Sequence, residues 1–323
     1  MIIGNMKRNI YSYSKLWMIL FVLMGAACTN QVEDAIPVSG QPIEFSVQSD
    51  WKEIPNTRLN DGKMNFVAKD TIQIFGFHKS SSGGVQKFMY RVNDGARGQK
   101  VVYDGKDWNY SPKRFWPKEG TLDFYVGYPE YSVLYKEDKM TYEQTTNPLQ
   151  LDLLSGVSAG HKCAKDLNPK VEVTMVHALA KVNIILDNKS WGEIGTVIVS
   201  AYKAGSFTQT DGDGIPKWDV PDVEENKIAA VFGYNDLIRN NSGTSVTVTV
   251  FILPGKITGF QMFGVPHGNE NAKRIDASDK IFDGIKNLKF DAGKEYNLNI
   301  SSKGVQKNTN SRSIAMSVRC VSE

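Results

Sequence analysis

Cysteine is scarce in this chain: among 323 residues there are three, Cys28, Cys163 and Cys320. None is spaced as zinc ligands are, so no metal is expected. Histidine is nearly as rare, and His78, His161, His177 and His267 are scattered without metal-ligand spacing. H-E-x-x-H, the phosphate-binding loop and the dinucleotide fingerprint are missing. Nothing therefore nominates catalytic residues, and neither an enzyme nor a cofactor is expected. An excess of one charge is also lacking. Lys and Arg number 38 against 35 Asp and Glu, a formal net charge of +3, which gives no reason to invoke nucleic acid. Long helical periodicity is absent, apart from a short candidate helix at 227–239. No apolar run reaches the roughly 20 residues that span a bilayer as a helix.

What the chain has in abundance is strand signal. Ile43, Phe45 and Val47 alternate with polar residues, and Thr71-Ile72-Gln73-Ile74-Phe75-Gly76-Phe77 does the same. Further short runs rich in Val, Ile, Phe, Tyr and Thr lie at 100–103, 122–128, 171–176, 181–186, 196–201, 245–253, 260–265 and 296–300. Each is bounded by Gly, Pro, Asn or Asp, as strands are. Their spacing predicts an all-β chain of two consecutive antiparallel β-sandwiches. Residues 155–170 are polar, contain Gly and end near Pro169. They separate an N-terminal sandwich at 43–160 from a C-terminal one at 170–302.

The ends carry different signals. Lys7, Arg8 and Lys15 precede an apolar run at 16–27 that closes on Gly25-Ala26-Ala27. A basic region, a short apolar core and small residues make a secretory signal over 1–27. Cys28 follows at once, and the junction resembles a bacterial lipobox, with Gly25 where Leu is usual. Cys28 is thus the expected lipidation site, and residues 28–42 the tether. More than one acyl chain would anchor the protein stably. At the other end, residues 301–313 read as a flexible linker. Beyond it Ile314, Met316, Val318 and Cys320 alternate, which puts them on one face of a strand. Residues 303–323 are thus a linker and a C-terminal strand. In an oxidising compartment Cys163 and Cys320 could pair, or both could stay free thiols.

Several segments together resemble the fimbrillin-like lipoproteins of the Bacteroidetes, a family of pilins and pilus-associated proteins. They are Ala26-Ala27-Cys28; Ile43-Glu44-Phe45 with Thr57-Arg58; Asp70-Thr71-Ile72-Gln73-Ile74-Phe75; Trp108-Asn109-Tyr110-Ser111-Pro112 with Phe115-Trp116-Pro117; Leu122-Asp123-Phe124-Tyr125-Val126-Gly127-Tyr128-Pro129; and Val176-His177-Ala178-Leu179-Ala180-Lys181-Val182. The resemblance implies transthyretin-like sandwiches and a lipid-anchored, surface-exposed protein of the outer membrane and fimbrium. It also implies assembly with other pilus subunits, as a homo- or heteropolymer. In such pilins a protease cuts after an Arg, here Arg58 before Leu59. The cut would release the strand of Ile43, Phe45 and Val47. A donor strand, here Ile314, Met316, Val318 and Cys320 of a neighbour, would then fill the groove. The expected function is a pilus subunit or pilus-associated adhesin, with a host or bacterial surface receptor. The alternative is a non-polymerising surface lipoprotein that binds glycan or host protein.

Two local patterns have plainer readings. Asp211-Gly212-Asp213-Gly214 reads as a tight turn, because the acidic ligands of a calcium loop do not follow. The aromatic group Trp108, Tyr110, Phe115, Trp116, Phe124, Tyr125 and Tyr128 reads as core and sandwich edge more readily than as a sugar platform.

Overall fold

The computed structural model describes residues 38–49, 59–60, 63–64, 66–136, 139–144, 149, 151–163, 170–211, 214–265 and 271–311. The protein is all-β. In chain order the earlier strands are β1 (Val38–Pro42), β2 (Phe45–Ser49), β3 (Leu59–Asn60), β4 (Lys63–Met64), β5 (Thr71–Lys79), β6 (Val85–Met89) and β7 (Gln99–Tyr103). They continue as β8 (Trp108–Asn109), β9 (Phe115–Pro117), β10 (Thr121–Tyr128), β11 (Val133–Lys136), β12 (Lys139–Glu143), β13 (Leu154–Lys162) and β14 (Val171–His177). The later strands are β15 (Ala180–Asp187), β16 (Ile194–Tyr202), β17 (Ala204–Thr208), β18 (Lys217–Asp219) and β19 (Lys227–Phe232). They end with β20 (Ile238–Arg239), β21 (Ser245–Ile252), β22 (Gly259–Gly264), β23 (Lys294–Ser301) and β24 (Gly304–Ser311). Among the described residues one helix of more than a turn, α1 (Ala277–Ile285), lies between β22 and β23.

The earlier strands build one eight-stranded sheet in the order β2-β14-β13-β10-β5-β7-β8, with β6 also on β5. β5 and β10 lie at its centre, and β5 is buried along nearly its whole length. Its Gly76 is needed there: a Cβ would come 2.7 Å from Met89 Cβ across the β5–β6 pair. Buried Gln73 is satisfied by donating to Val133 O at 2.8 Å.

The later strands build a five-stranded sheet, β20-β21-β15-β23-β24, and a three-stranded sheet, β19-β16-β22. Alternation makes the core between them. Val182, Ile184 and Leu186 of β15, Val246, Val248 and Val250 of β21, and Tyr296, Leu298 and Ile300 of β23 point inward. Val197, Val199 and Ala201 of β16 and Phe260 and Met262 of β22 meet them from the other sheet. α1 adds Ile281 and Ile285 to the same core. Its Ser278 is held by accepting from Met262 N at 3.0 Å and donating to Ile275 O at 2.6 Å.

The sequence reading needs five corrections. The strands are not all antiparallel, since β2 runs parallel to β14 and β15 parallel to β23. Parallel neighbours require long crossovers, which local spacing does not reveal. Residues 155–170 are not a plain linker. β13 occupies 154–162 and pairs with the central β10. β14, expected to open the C-terminal domain, belongs to the first sheet because β2 and β13 take its two edges. The candidate helix at 227–239 is β19, a short 3-10 turn at Tyr234–Asp236 and β20. The linker at 301–313 is largely β24, zipped onto β23 through a two-residue turn.

The described residues from Ser39 onward form one compact unit. Its two halves share a four-stranded sheet, β11-β12-β17-β18, in which β12 pairs with β17 from Met140↔Phe207 to Glu143↔Ala204. Behind that sheet a mixed core gathers Phe75, Phe77 and Leu153 from the first half with Phe207, Phe251 and Leu253 from the second.

Candidate functional site: the edge strand β2 and its surroundings

β2 is the terminal strand of the eight-stranded sheet and has a single ladder partner, β14. The register sets Phe45 opposite Val171, Val47 opposite Val173 and Ser49 opposite Met175. Its apolar residues Phe45 and Val47 are 2% and 7% exposed, and Ile43, two residues before the strand, is 0% exposed. Phe45 stacks edge-on against Phe124 at 5.2 Å and Tyr110 at 6.0 Å. Burying three such side chains contributes on the order of 5–9 kcal/mol.

Polar contacts fix the entry to the strand. Ile43 N donates to Arg114 O at 2.9 Å, and Val171 N donates to Glu44 O at 2.8 Å. The Tyr110 hydroxyl donates to Ile43 O at 2.8 Å. Burial pushes that phenol up to about 12. Lys170 donates to Asp107 at 2.9 Å and lies 3.8 Å from Glu44. The Asp107 hydrogen bond is the main cause that raises the Lys170 ammonium above its ordinary value.

The sheet curls until its two terminal strands, β2 and β8, lie beside one another without a ladder between them. A cleft of about 700 Å³ separates β2 from the wall made by Phe66, Tyr103 and Trp108. β2 thus has its side chains in the core and its second edge without a ladder. Removing it would uncover Val171, Val173 and Met175 of β14, now buried, and leave one edge of that strand without hydrogen bonds.

The other expected residues fall as follows. Cys28, Arg58, Ile314, Met316, Val318 and Cys320 lie outside the described residues. Leu59 opens β3, which pairs with β4 in a small hairpin, Leu59↔Met64 and Asn60↔Lys63. Cys163 is free and half-buried, and burial pushes its thiol up to about 11.

Among the aromatics, Trp108, Tyr110, Trp116 and Phe124 are buried while Phe115 is exposed, in line with core plus edge. His177 is buried and hydrogen-bonded through Nδ1 to Asp152 at 2.5 Å. Among the described residues no cluster of His, Cys, Asp and Glu could hold a metal. No described helix is long and apolar enough to cross a membrane.

One string escaped the reading that no catalytic motif is present. Gly156-Val157-Ser158-Ala159-Gly160 matches G-x-S-x-G, and Ser158 Oγ is 2.8 Å from His161 Nε2. The nucleophile elbow needs a sharp strand-to-helix turn that exposes the serine. Here the whole string lies inside β13 and Ser158 is buried, so it is a strand segment. Sequence reading also missed β24. Its signal was the turn before it, which ends at Gly304 with φ +125°.

No curated protein matches the chain. Among solved structures, a candidate cell adhesion protein of Bacteroides uniformis is similar, with TM-score 0.49 and 18% identity over 85% of this chain and 98% of its own. Another from Bacteroides ovatus has TM-score 0.48 and 15% identity over 84% and 96%. A fimbrial protein of Bacteroides ovatus has TM-score 0.37 and 13% identity over 80% and 48%. The family model described as fimbrillin-like matches residues 57–316, most of the chain, and the protein belongs to that family.

Proposed function

We propose that the protein is a structural subunit of the cell surface, a pilus subunit or pilus-associated adhesin that assembles by β-strand exchange. On this reading it is exported, acylated at Cys28 and carried to the outer membrane surface and the fimbrium. Cleavage between Arg58 and Leu59 frees the segment containing β2. The vacated edge of β14 then takes Ile314, Met316, Val318 and Cys320 from the next subunit. A contact repeated head to tail does not close, and so gives a filament. Partners are other pilus subunits and a surface receptor. No catalytic activity forms part of the reading.

The observation that carries it is β2 itself. It is a terminal strand upstream of Arg58, it has one ladder partner, and it fills apolar sites at alternate positions. A donor with the same alternation can refill those sites and restore the backbone bonds. The test is the N-terminus of the protein in surface material sheared from cells, read by mass spectrometry. Denaturant-resistant ladders starting at Leu59, and lost in Arg58→Ala, are the expected result. Monomers alone, all starting at an acylated Cys28, would overturn strand exchange. That outcome would favour the second reading, a non-polymerising surface lipoprotein. The pairing of β24 with the protein's own β23 supports this alternative, because it ties the approach to the C-terminal segment to its own sheet.

A further inference from the structure

The four-stranded sheet shared by both halves has a second face that assembly by β2 does not use. Tyr142, Phe207 and Trp218 point inward to the mixed core. The alternate residues, Leu134, Thr141, Glu143, Ser206 and Asp219, form the floor of an open cleft of about 470 Å³. Ligand clefts commonly hold roughly 300–1,000 Å³. We infer that this cleft is a binding site for a neutral oligosaccharide of two to three sugar units.

Three features point to that chemistry. The first is the wall residue Tyr131. It stands at φ +69°, a left-handed conformation that non-glycine residues rarely adopt. Its neighbours brace it there. The Arg91 and Arg97 guanidinium carbons lie 4.5 and 5.0 Å from the ring centroid, and Arg97 also donates to Tyr131 O at 3.3 Å. Glu130 beside it is buried between Arg91 at 2.5 Å and Lys100 at 2.9 Å. All this bracing presents a tyrosine that is still 54% exposed. Strained residues that the surroundings over-determine cluster at ligand sites.

The second feature is the floor. The Ser206 hydroxyl has no hydrogen-bond partner among the described residues, and the Thr141 hydroxyl makes only one long bond, to Leu134 O at 3.4 Å. Hydroxyls both donate and accept, which suits a polyol. The third is charge. The rim charges are largely closed in pairs: Arg97 with Asp94 at 3.0 Å, Glu143 with Lys203 at 2.8 Å and Asp219 with Lys139 at 3.7 Å. A balanced rim of donors and acceptors, with small apolar patches at Leu134, Ala204 and Pro221, matches a neutral sugar's hydroxyl edge and C–H face. It offers no net attraction to a polyanion and no deep apolar slot for a lipid.

The test uses the mature full-length protein on an array of neutral di- to tetrasaccharides of hexoses and N-acetylhexosamines, with uronate oligomers alongside. At least one neutral sugar should bind. Tyr131→Ala, which changes an exposed side chain, and Ser206→Trp, which fills the floor, should each weaken it at least tenfold. Both variants should melt with the wild type and still form whatever surface ladder the wild type forms, which separates this site from strand exchange. No bound neutral sugar, retention only of uronates, or binding that survives both substitutions would overturn the assignment.

Discussion

β2 and β24 are the same object in backbone terms and opposites in what holds them. Each ends a sheet, each has one ladder partner, and each lies toward one end of the chain. β2 is held by buried side chains contributed to a core. β24 forms eight register pairs with β23, from Lys294↔Ser311 to Ser301↔Gly304, yet only Val305 and Lys307 among its side chains of described burial are even half-buried. The loops differ as well. β24 closes on its neighbour through two residues, while β2 pairs with a strand more than 100 residues later. A short loop is cheap to close and readily re-formed, whereas a long-range pairing must be repaid by burial. Backbone pairing to a sheet edge therefore makes a strand that can peel. Side-chain burial makes one that stays until the chain is cut or a better ligand replaces it.

The sharpest way to break this contrast is to truncate one anchor on each edge. Phe45→Ala removes a ring packed against Phe124 and Tyr110, and should destabilise the protein by about 3–5 kcal/mol. Val305→Ala removes methyls that are only half-buried against Gly284 of α1, and should cost about 1 kcal/mol or less. Urea unfolding of both variants gives the comparison. Equal losses would mean that β24 is as firmly built as β2.

Alkaline pH separates the two edges next. Tyr110 clamps the carbonyl of Ile43, and its phenol rises from 10.0 to about 12 because it is buried. An acid whose folded value lies above its unfolded one stabilises fully below the unfolded value, and loses that contribution as pH climbs through the folded one. Between pH 10 and about 12 the protein should thus lose on the order of 2–3 kcal/mol through this group. Other tyrosines shift in the same direction, Tyr142 strongly, so the readout is a difference. Tyr110→Phe should flatten part of the alkaline slope while leaving β24 unaffected. An unchanged slope would remove Tyr110 from the clamp.

The same contrast explains what was legible in the sequence. β2, β15, β21 and β23 announced themselves because alternate residues enter a core, and β5 and β10, buried on both faces, because they are short apolar runs bounded by turn residues; both patterns are visible in one dimension. β24 carries Gln306, Asn308 and Thr309 with almost no burial, so nothing in its composition distinguishes it from a linker. β19 to β20 read as a helix because Ile228, Val231 and Ile238 lie on strands whose outer residues are apolar, with Val231 and Ile238 well exposed. The parallel pairs and the shared sheet of β12 and β17 depend on contacts across more than 60 residues, which no local pattern encodes. Ile43, Phe45 and Val47 were legible as a strand, but its place at the end of a sheet was not. The cleft beside Tyr131 was invisible because its floor comes from four strands and its wall from a left-handed turn.

The smallest effect concerns the side chain that does anchor β24. Lys307 reaches across to α1's side of the sheet, donates to Lys289 O at 2.5 Å, and sets its ammonium 4.9 Å from the Phe290 ring and 4.4 Å from the Tyr296 ring. Desolvation lowers its pKa, but the value starts from 10.5, and the rings favour the charged form. A cation over aromatic faces at a partly exposed site contributes about 0.5–1 kcal/mol. Lys307→Ala should hence leave the urea midpoint nearly unchanged while raising amide exchange along β24 about two- to fivefold, since 1.4 kcal/mol corresponds to tenfold. Amides of β15 and β21 should keep their rates. If β24 exchanged no faster than they do in either protein, it would be part of the global unfolding unit, and the distinction between a peeling edge and a locked one would fail.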